Sequence, residues 1–145
     1  MGMKEAFYEV GYANARMLRA RAAGMTETEI IDREGDAPLF DAKKDYSGYP
    51  VGSPVRDDGQ VWLLIQPHNA AHYNGRPGTL RALWGLAHTK NPKKAKRWVE
   101  PQGTSGLYMA DECYKADDGA VYRCLKDGTV YPAERYADGW ERLEG

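Results

Sequence analysis

Asp57-Asp58-Gly59-Gln60-Val61-Trp62 is echoed 60 residues later by Asp117-Asp118-Gly119-Ala120-Val121-Tyr122. Asp-Gly between two strand-like runs marks a hairpin, because a type I′ turn needs positive φ at both central residues and glycine adopts it at no steric cost. The flanking runs are 51–55 and 60–66 in the first case, 112–116 and 120–125 in the second. Each hairpin is followed by a polar stretch, a proline (Pro77, Pro132) and a tryptophan (Trp84, Trp140). A repeat of this length reads as an internal duplication. The fold class predicted is mainly β with an α-helical N-terminal extension, the β part being two tandem small three-stranded modules at 50–87 and 107–145 with a spacer at 88–106.

Upstream the periodicity changes. Phe7, Val10, Asn14, Met17 and Leu18 recur at helical steps through an alanine-rich stretch, which predicts a helix over 4–23 with Gly24 as its C-terminal cap. Thr26 and Glu29 have the spacing of a capping box, and Met25 and Ile30 that of a hydrophobic staple, so a second, short helix is expected to run to Gly35. Residues 1–35 are expected to be a helical attachment or oligomerisation segment. Residues 36–49, with Pro38, Asp41 and Gly48, read as an extended linker.

Composition narrows the function. The 20 basic and 21 acidic residues leave a net charge of −1, which gives no argument for a nucleic-acid or membrane partner. Mean hydropathy is −0.70, and the aromatics are 10 Tyr and 4 Trp against 2 Phe. Such polar-tipped rings suit half-exposed positions, where one edge packs and the other meets water or a ligand. The N-terminus lacks the apolar run and cleavage site of a secretory signal, so synthesis in a cytoplasm is expected. Two cysteines, Cys113 and Cys124, are too few for a disulfide scaffold. With the turn centred on Asp118-Gly119 they would stand directly opposite, either as a cross-strand bridge or as two small core side chains. Thiols are the expectation for a cytoplasmic fold.

The second copy, Tyr108-Met109-Ala110-Asp111, Cys113, Gly119-Ala120-Val121-Tyr122-Arg123-Cys124, Pro132 and Gly139-Trp140, resembles the chitinase-type carbohydrate-binding modules of families five and twelve. Their pattern is Tyr-x-x-Gly-Asp-x-Val, a glycine turn, a Val-Tyr strand and a closing Trp. Tyr49, Gly52, Val55, Gly59, Val61-Trp62 and Trp84 carry the likeness in the first copy. Ala110 and Cys113 depart from the pattern, and no Asp follows Gly52. The whole chain also resembles small proteins encoded among the tail genes of phages and prophages of Gram-positive bacteria. Residues 59–68, 91–96 and the helix end Arg19-Ala20-Arg21-Ala22 carry that likeness. It implies a virion setting, other phage structural proteins as partners, a homo-oligomer, and contact with a cell-surface glycan as a further option.

Sugar recognition needs flat aromatic faces with polar groups at their edges. Tyr131 and Tyr136, in the loop before the closing tryptophan, are candidates along with Trp84 and Trp140. Trp62, opposite Val55 across a two-residue turn, is expected in the core. His68 and His72 are four apart but lack companion ligands, so neither a metal nor a cofactor is expected. No Ser-His-Asp order, phosphate loop or zinc spacing occurs, and Asp57, Asp58, Asp117 and Asp118 are accounted for by turns. The expectation is a non-enzymatic protein.

Overall fold

A computed structural model describes residues 14–144. The fold is mainly β, with one sheet of three strands, one of four, and few helical turns. In the first sheet β1 (Pro54–Asp57), β2 (Gln60–Leu64) and β3 (Trp84–Leu86) form an antiparallel meander. Asp58 and Gly59 have φ of 54° and 74°, and Asp57 faces Gln60, as the type I′ reading requires. Val55 therefore faces Trp62. A turn ahead of β3 brings Leu83 N–H to Leu80 O at 3.0 Å, and the strand begins at the next residue.

The second sheet runs β4 (Lys96–Arg97), β5 (Cys113–Lys115), β6 (Val121–Cys124) and β7 (Trp140–Leu143). Its four strands exceed the expected three because β4 pairs in parallel with β5. The turn differs too. Ala116 and Ala120 close it through an N–H···O bond of 2.8 Å, leaving a three-residue loop in which only Gly119, at φ 88°, is left-handed. The extra residue slips the register by one, so Cys113 faces Arg123 and not Cys124. A slip of one turns side chains to opposite faces of the sheet. Cys124 enters the second core, Cys113 lies on the other face, and both are buried free thiols.

Residues 14–21 are helical (α1); the first part of the predicted helix lies outside the described residues. Gly24 does not cap it with a left-handed turn. The chain tightens into a 3-10 turn at Ala22–Gly24, closed by Met25 N–H to Ala22 O. The second helix, α2 (Glu27–Asp32), has the predicted capping box between Thr26 and Glu29. It stops at Asp32, and Gly35 lies inside a following 3-10 turn. Because side chains alternate along β2, Trp62 and Leu64 face one side and Val61 and Leu63 the other. Ile30 and Ile31 of α2 bury the second side with Val61 and Ala87. α2 is thus a layer on the first sheet.

The segments expected as linker and spacer are structural. Leu39 bridges Arg56 in parallel, and Phe40 and Tyr46 join the first core. Lys96–Arg97 is a strand, and Trp98 packs on the second core. Both contributions are non-local pairings, which hydrophobic periodicity within a short window does not register.

Candidate functional site

The two cores are built on the same aromatic geometry. In the first, Phe40 stacks on Tyr46 (6.1 Å, 8°), and both meet Trp84 edge-on (5.8 Å, 83° and 5.1 Å, 90°). In the second, Trp98 stacks on Tyr108 (5.1 Å, 9°), and both meet Trp140 edge-on (6.1 Å, 79° and 5.3 Å, 71°). Backbone bonds match as well. Gly52 N–H and Leu64 N–H bond Leu64 O and Ser53 O; Asp111 N–H and Cys124 N–H bond Cys124 O and Glu112 O. Gly52 and Asp111 are both left-handed, at φ 93° and 75°. Tyr46 N–H reaches His68 O, and Tyr108 N–H reaches Thr129 O. The tyrosine equivalent to Tyr108 is therefore Tyr46. Tyr49, its counterpart in the sequence motif, packs edge-on against Tyr46 at 5.4 Å.

This packing removes half of the predicted glycan residues from solvent. Trp84 is 0% exposed, enclosed by Phe40, Tyr46 and His68. Trp140 is buried and meets Tyr114 edge-on at 4.7 Å. Neither indole has a free face for a sugar ring, which corrects the reading of both as binding residues. Trp62 is buried, as expected, beneath the Arg81 guanidinium at 5.1 Å.

Tyr131 and Tyr136 differ. Tyr136 is half-buried, its ring lying where a side chain on Gly139 would stand, and its hydroxyl accepts from Lys126 Nζ at 3.0 Å. Tyr131 is 50% exposed. Its carbonyl accepts Trp140 Nε1–H at 2.7 Å, which fixes the backbone while the ring projects. Arg135 lies 5.3 Å from that ring and is itself held by Glu100, whose carboxylate also accepts Trp98 Nε1–H at 3.0 Å. Hydrogen bonds from Trp98 and Arg135 hold the Glu100 carboxyl below its ordinary range. The result is a small surface platform: one aromatic face, a guanidinium and a carboxylate, the groups that stack on and hydrogen-bond a pyranose. Trp98, Glu100 and Arg135 were not among the predicted residues. They lie 33 and 31 residues before and 4 after Tyr131 in sequence, and no motif links them.

His68 and His72 do not form a site. His68 is buried with its ring edge-on to Trp84 and Tyr73, while His72 is exposed. Among the described residues no cluster of three metal-ligating side chains occurs, and no helix is long and apolar enough to cross a membrane. No protein-family model matches the chain, and no curated protein matches it.

Proposed function

We propose that the protein is a non-enzymatic structural component of a phage virion, in the tail or an appendage, whose two halves are tandem copies of one carbohydrate-binding-like module. The recurrence of the aromatic triad, Phe40/Tyr46/Trp84 and Trp98/Tyr108/Trp140, is the observation that carries this reading. It supports common descent of the halves, and it assigns the largest rings to packing and not to a ligand. The virion setting rests on the sequence resemblance to phage tail-gene products. In this reading the N-terminal helix attaches to neighbouring structural proteins or to further copies of the chain, and the β halves project or pack alongside. Purified chain of defined mass in solution, with and without residues 1–24, tests it. Loss of assembly on truncation is expected, and an unchanged mass would overturn the role given to the helix.

A second reading has its own observation. The Tyr131–Arg135–Glu100 platform is exposed and internally braced, so the second half can hold a cell-wall or surface glycan weakly. Retention on chitin or Gram-positive cell walls that is lost in Tyr131→Ala would favour it. Absence of retention in the unaltered protein would leave the structural reading alone.

A further inference from the structure

Asn74-Gly75 is the chain's one Asn-Gly pair, and it spans a gap between two anchored ends. On one side Tyr73 N–H bonds Ala70 O at 3.1 Å, and the Tyr73 ring meets His68 edge-on at 5.2 Å. On the other, Arg76 N–H donates to Thr79 Oγ1 at 3.2 Å. The Arg76 guanidinium clamps the buried Asp57 carboxylate, with Nε 2.9 Å from Oδ2. Asn74 is exposed, and neither it nor Gly75 makes a hydrogen bond among the described residues.

The other three asparagines are placed differently. Asn69 Oδ1 accepts Ala71 N–H at 3.1 Å, and the nitrogen that follows Asn69 is bonded to Lys44 O at 2.9 Å. Asn91 uses both ends of its side chain, Oδ1 on Lys93 N–H and Nδ2 on Asp32, and the next residue, Pro92, has no N–H. Asn14 lies in α1, where helical backbone holds the following nitrogen away from the side-chain carbonyl. We propose that Asn74 is a site of spontaneous covalent modification. The Gly75 amide nitrogen loses its proton and attacks the Asn74 side-chain carbonyl carbon. The new N–C bond closes a five-membered imide, and the side-chain nitrogen leaves as ammonia. Water then opens the imide at either carbonyl, giving aspartate or isoaspartate at position 74. One water is consumed and one ammonia released, and no oxidant or reductant is needed. Glycine at position 75 suits the step, because it has no side chain to hinder the attack and its backbone turns freely.

The isoaspartate product matters to the fold, because it adds a methylene to the main chain between residues 74 and 75. Gly75 has no room to absorb it on its packed side. It sits at φ 148°, and a Cβ built on it would lie 2.6 Å from Thr79 Oγ1 and 3.4 Å from Leu80 Cγ. The longer link therefore displaces the next residue, Arg76, and with it the clamp on Asp57. Asp57 ends β1, and its carbonyl accepts Trp62 Nε1–H at 3.3 Å. A reaction in an exposed loop is thus transmitted to the first sheet through one ion pair.

Ageing the full chain in mildly alkaline buffer and mapping its peptides by mass spectrometry tests the site. The peptide bearing Asn74 should gain one dalton, at a rate that rises with pH, and should resolve into aspartate and isoaspartate forms. The peptides bearing Asn14, Asn69 and Asn91 should keep their mass. The four Asp-Gly pairs do not interfere, since isomerisation of an aspartate leaves mass unchanged. Asn74→Gln, which would have to close a larger ring, should stay unmodified. No gain at Asn74, or a gain at Asn69 of matching rate, would overturn the proposal. Thermal melts read the consequence. The aged chain should melt earlier than the fresh one, and Asn74→Gln should melt alike before and after ageing. Fresh Asn74→Asp carries the new charge without the longer backbone and should melt close to the unaltered chain. An unchanged melt in modified protein, or an equal loss in Asn74→Asp, would overturn the link from the lengthened backbone to Asp57.

Discussion

The two sheets carry matching aromatic triads and surround them differently. The first packs Val55, Leu64, Leu83 and Leu86 around its triad and covers the far side of its sheet with Ile30 and Ile31 of α2. The second packs its triad with Tyr114 and Cys124, and with Tyr122, Ala116 and Ala133 at the margin. Aliphatic side chains are adjustable fillers, whereas rings are rigid and must interlock. The second half therefore depends more on aromatic geometry, and it satisfies its polar tips more fully. Trp140 Nε1–H reaches Tyr131 O and Tyr114 OH accepts Ala133 N–H. Trp84 Nε1, by contrast, is buried without a partner among the described residues. Equivalent positions can thus keep one packing role while their hydrogen-bond roles diverge.

The largest effect should come from removing either closing indole. Trp84→Ala and Trp140→Ala should each cost about 3–5 kcal/mol, the range for a large aromatic truncated in a core. Denaturant midpoints check this. If the halves fold as separate units, each variant should melt one half and spare the other, visible as two transitions. A single shifted transition would mean that residues 88–91, bonded both to α2 and to the start of β5, make them cooperative.

Next come the turns, where backbone strain is the sole term. No heavy atom lies within 4 Å of a Cβ built on Gly119, but its φ is 88°. Gly119→Val should cost about 1–3 kcal/mol, and Asp118→Ala clearly less, since Asp118 is not left-handed and contributes only its bond from Ala120 N–H at 2.9 Å. In the first hairpin both Asp58 and Gly59 are left-handed. Asp58→Val should therefore be costlier than Asp118→Val. Equal midpoints for the two would remove the distinction between a two-residue and a three-residue turn.

That distinction marks how far the sequence could be read. Asp-Gly announced both hairpins because turn chemistry is local. Its register was legible at Asp58-Gly59 and missed at Asp118-Gly119, where one additional loop residue reassigns the faces of Cys113 and Cys124. Thr26 and Glu29 were legible for the same local reason. Phe40, Tyr46 and Trp98 were not. Each reaches its core after a parallel pairing to the first strand of the hairpin, and parallel neighbours distant in sequence leave no short-range pattern. Of the candidate site, Tyr131 was legible as a loop tyrosine beside a closing tryptophan, while its braces Glu100 and Arg135 were ordinary charges until folding joined them.

A smaller effect would sharpen the contrast in polar satisfaction. Trp140→Phe loses the bond to Tyr131 O and leaves that carbonyl to find another donor, whereas Trp84→Phe removes an N–H that has no partner among the described residues. Both lose similar ring volume. Trp140→Phe should therefore be the more destabilising by about 1 kcal/mol, the usual net worth of such a bond, although Trp84 is the more completely buried. The reverse order in paired thermal melts would show that packing around Trp84, and not hydrogen bonding, separates the two positions.

The smallest expected change in stability is also the most informative about function. Tyr131 offers Trp140 its backbone carbonyl, which survives Tyr131→Ala, and its ring is half in solvent with Arg135 against it. The lost contact is an exposed cation–π pair, worth about 0.5–1 kcal/mol. The melting temperature should scarcely move, and the second core should remain intact by near-ultraviolet circular dichroism. Nine residues before its closing tryptophan, where Tyr131 stands relative to Trp140, the first half has Gly75, and so offers no matching ring there. Any glycan affinity should therefore have a stoichiometry of one per chain and disappear entirely in Tyr131→Ala. Two sites per chain, or affinity that survives the substitution, would place recognition elsewhere and return Tyr131 to the surface as an ordinary exposed tyrosine.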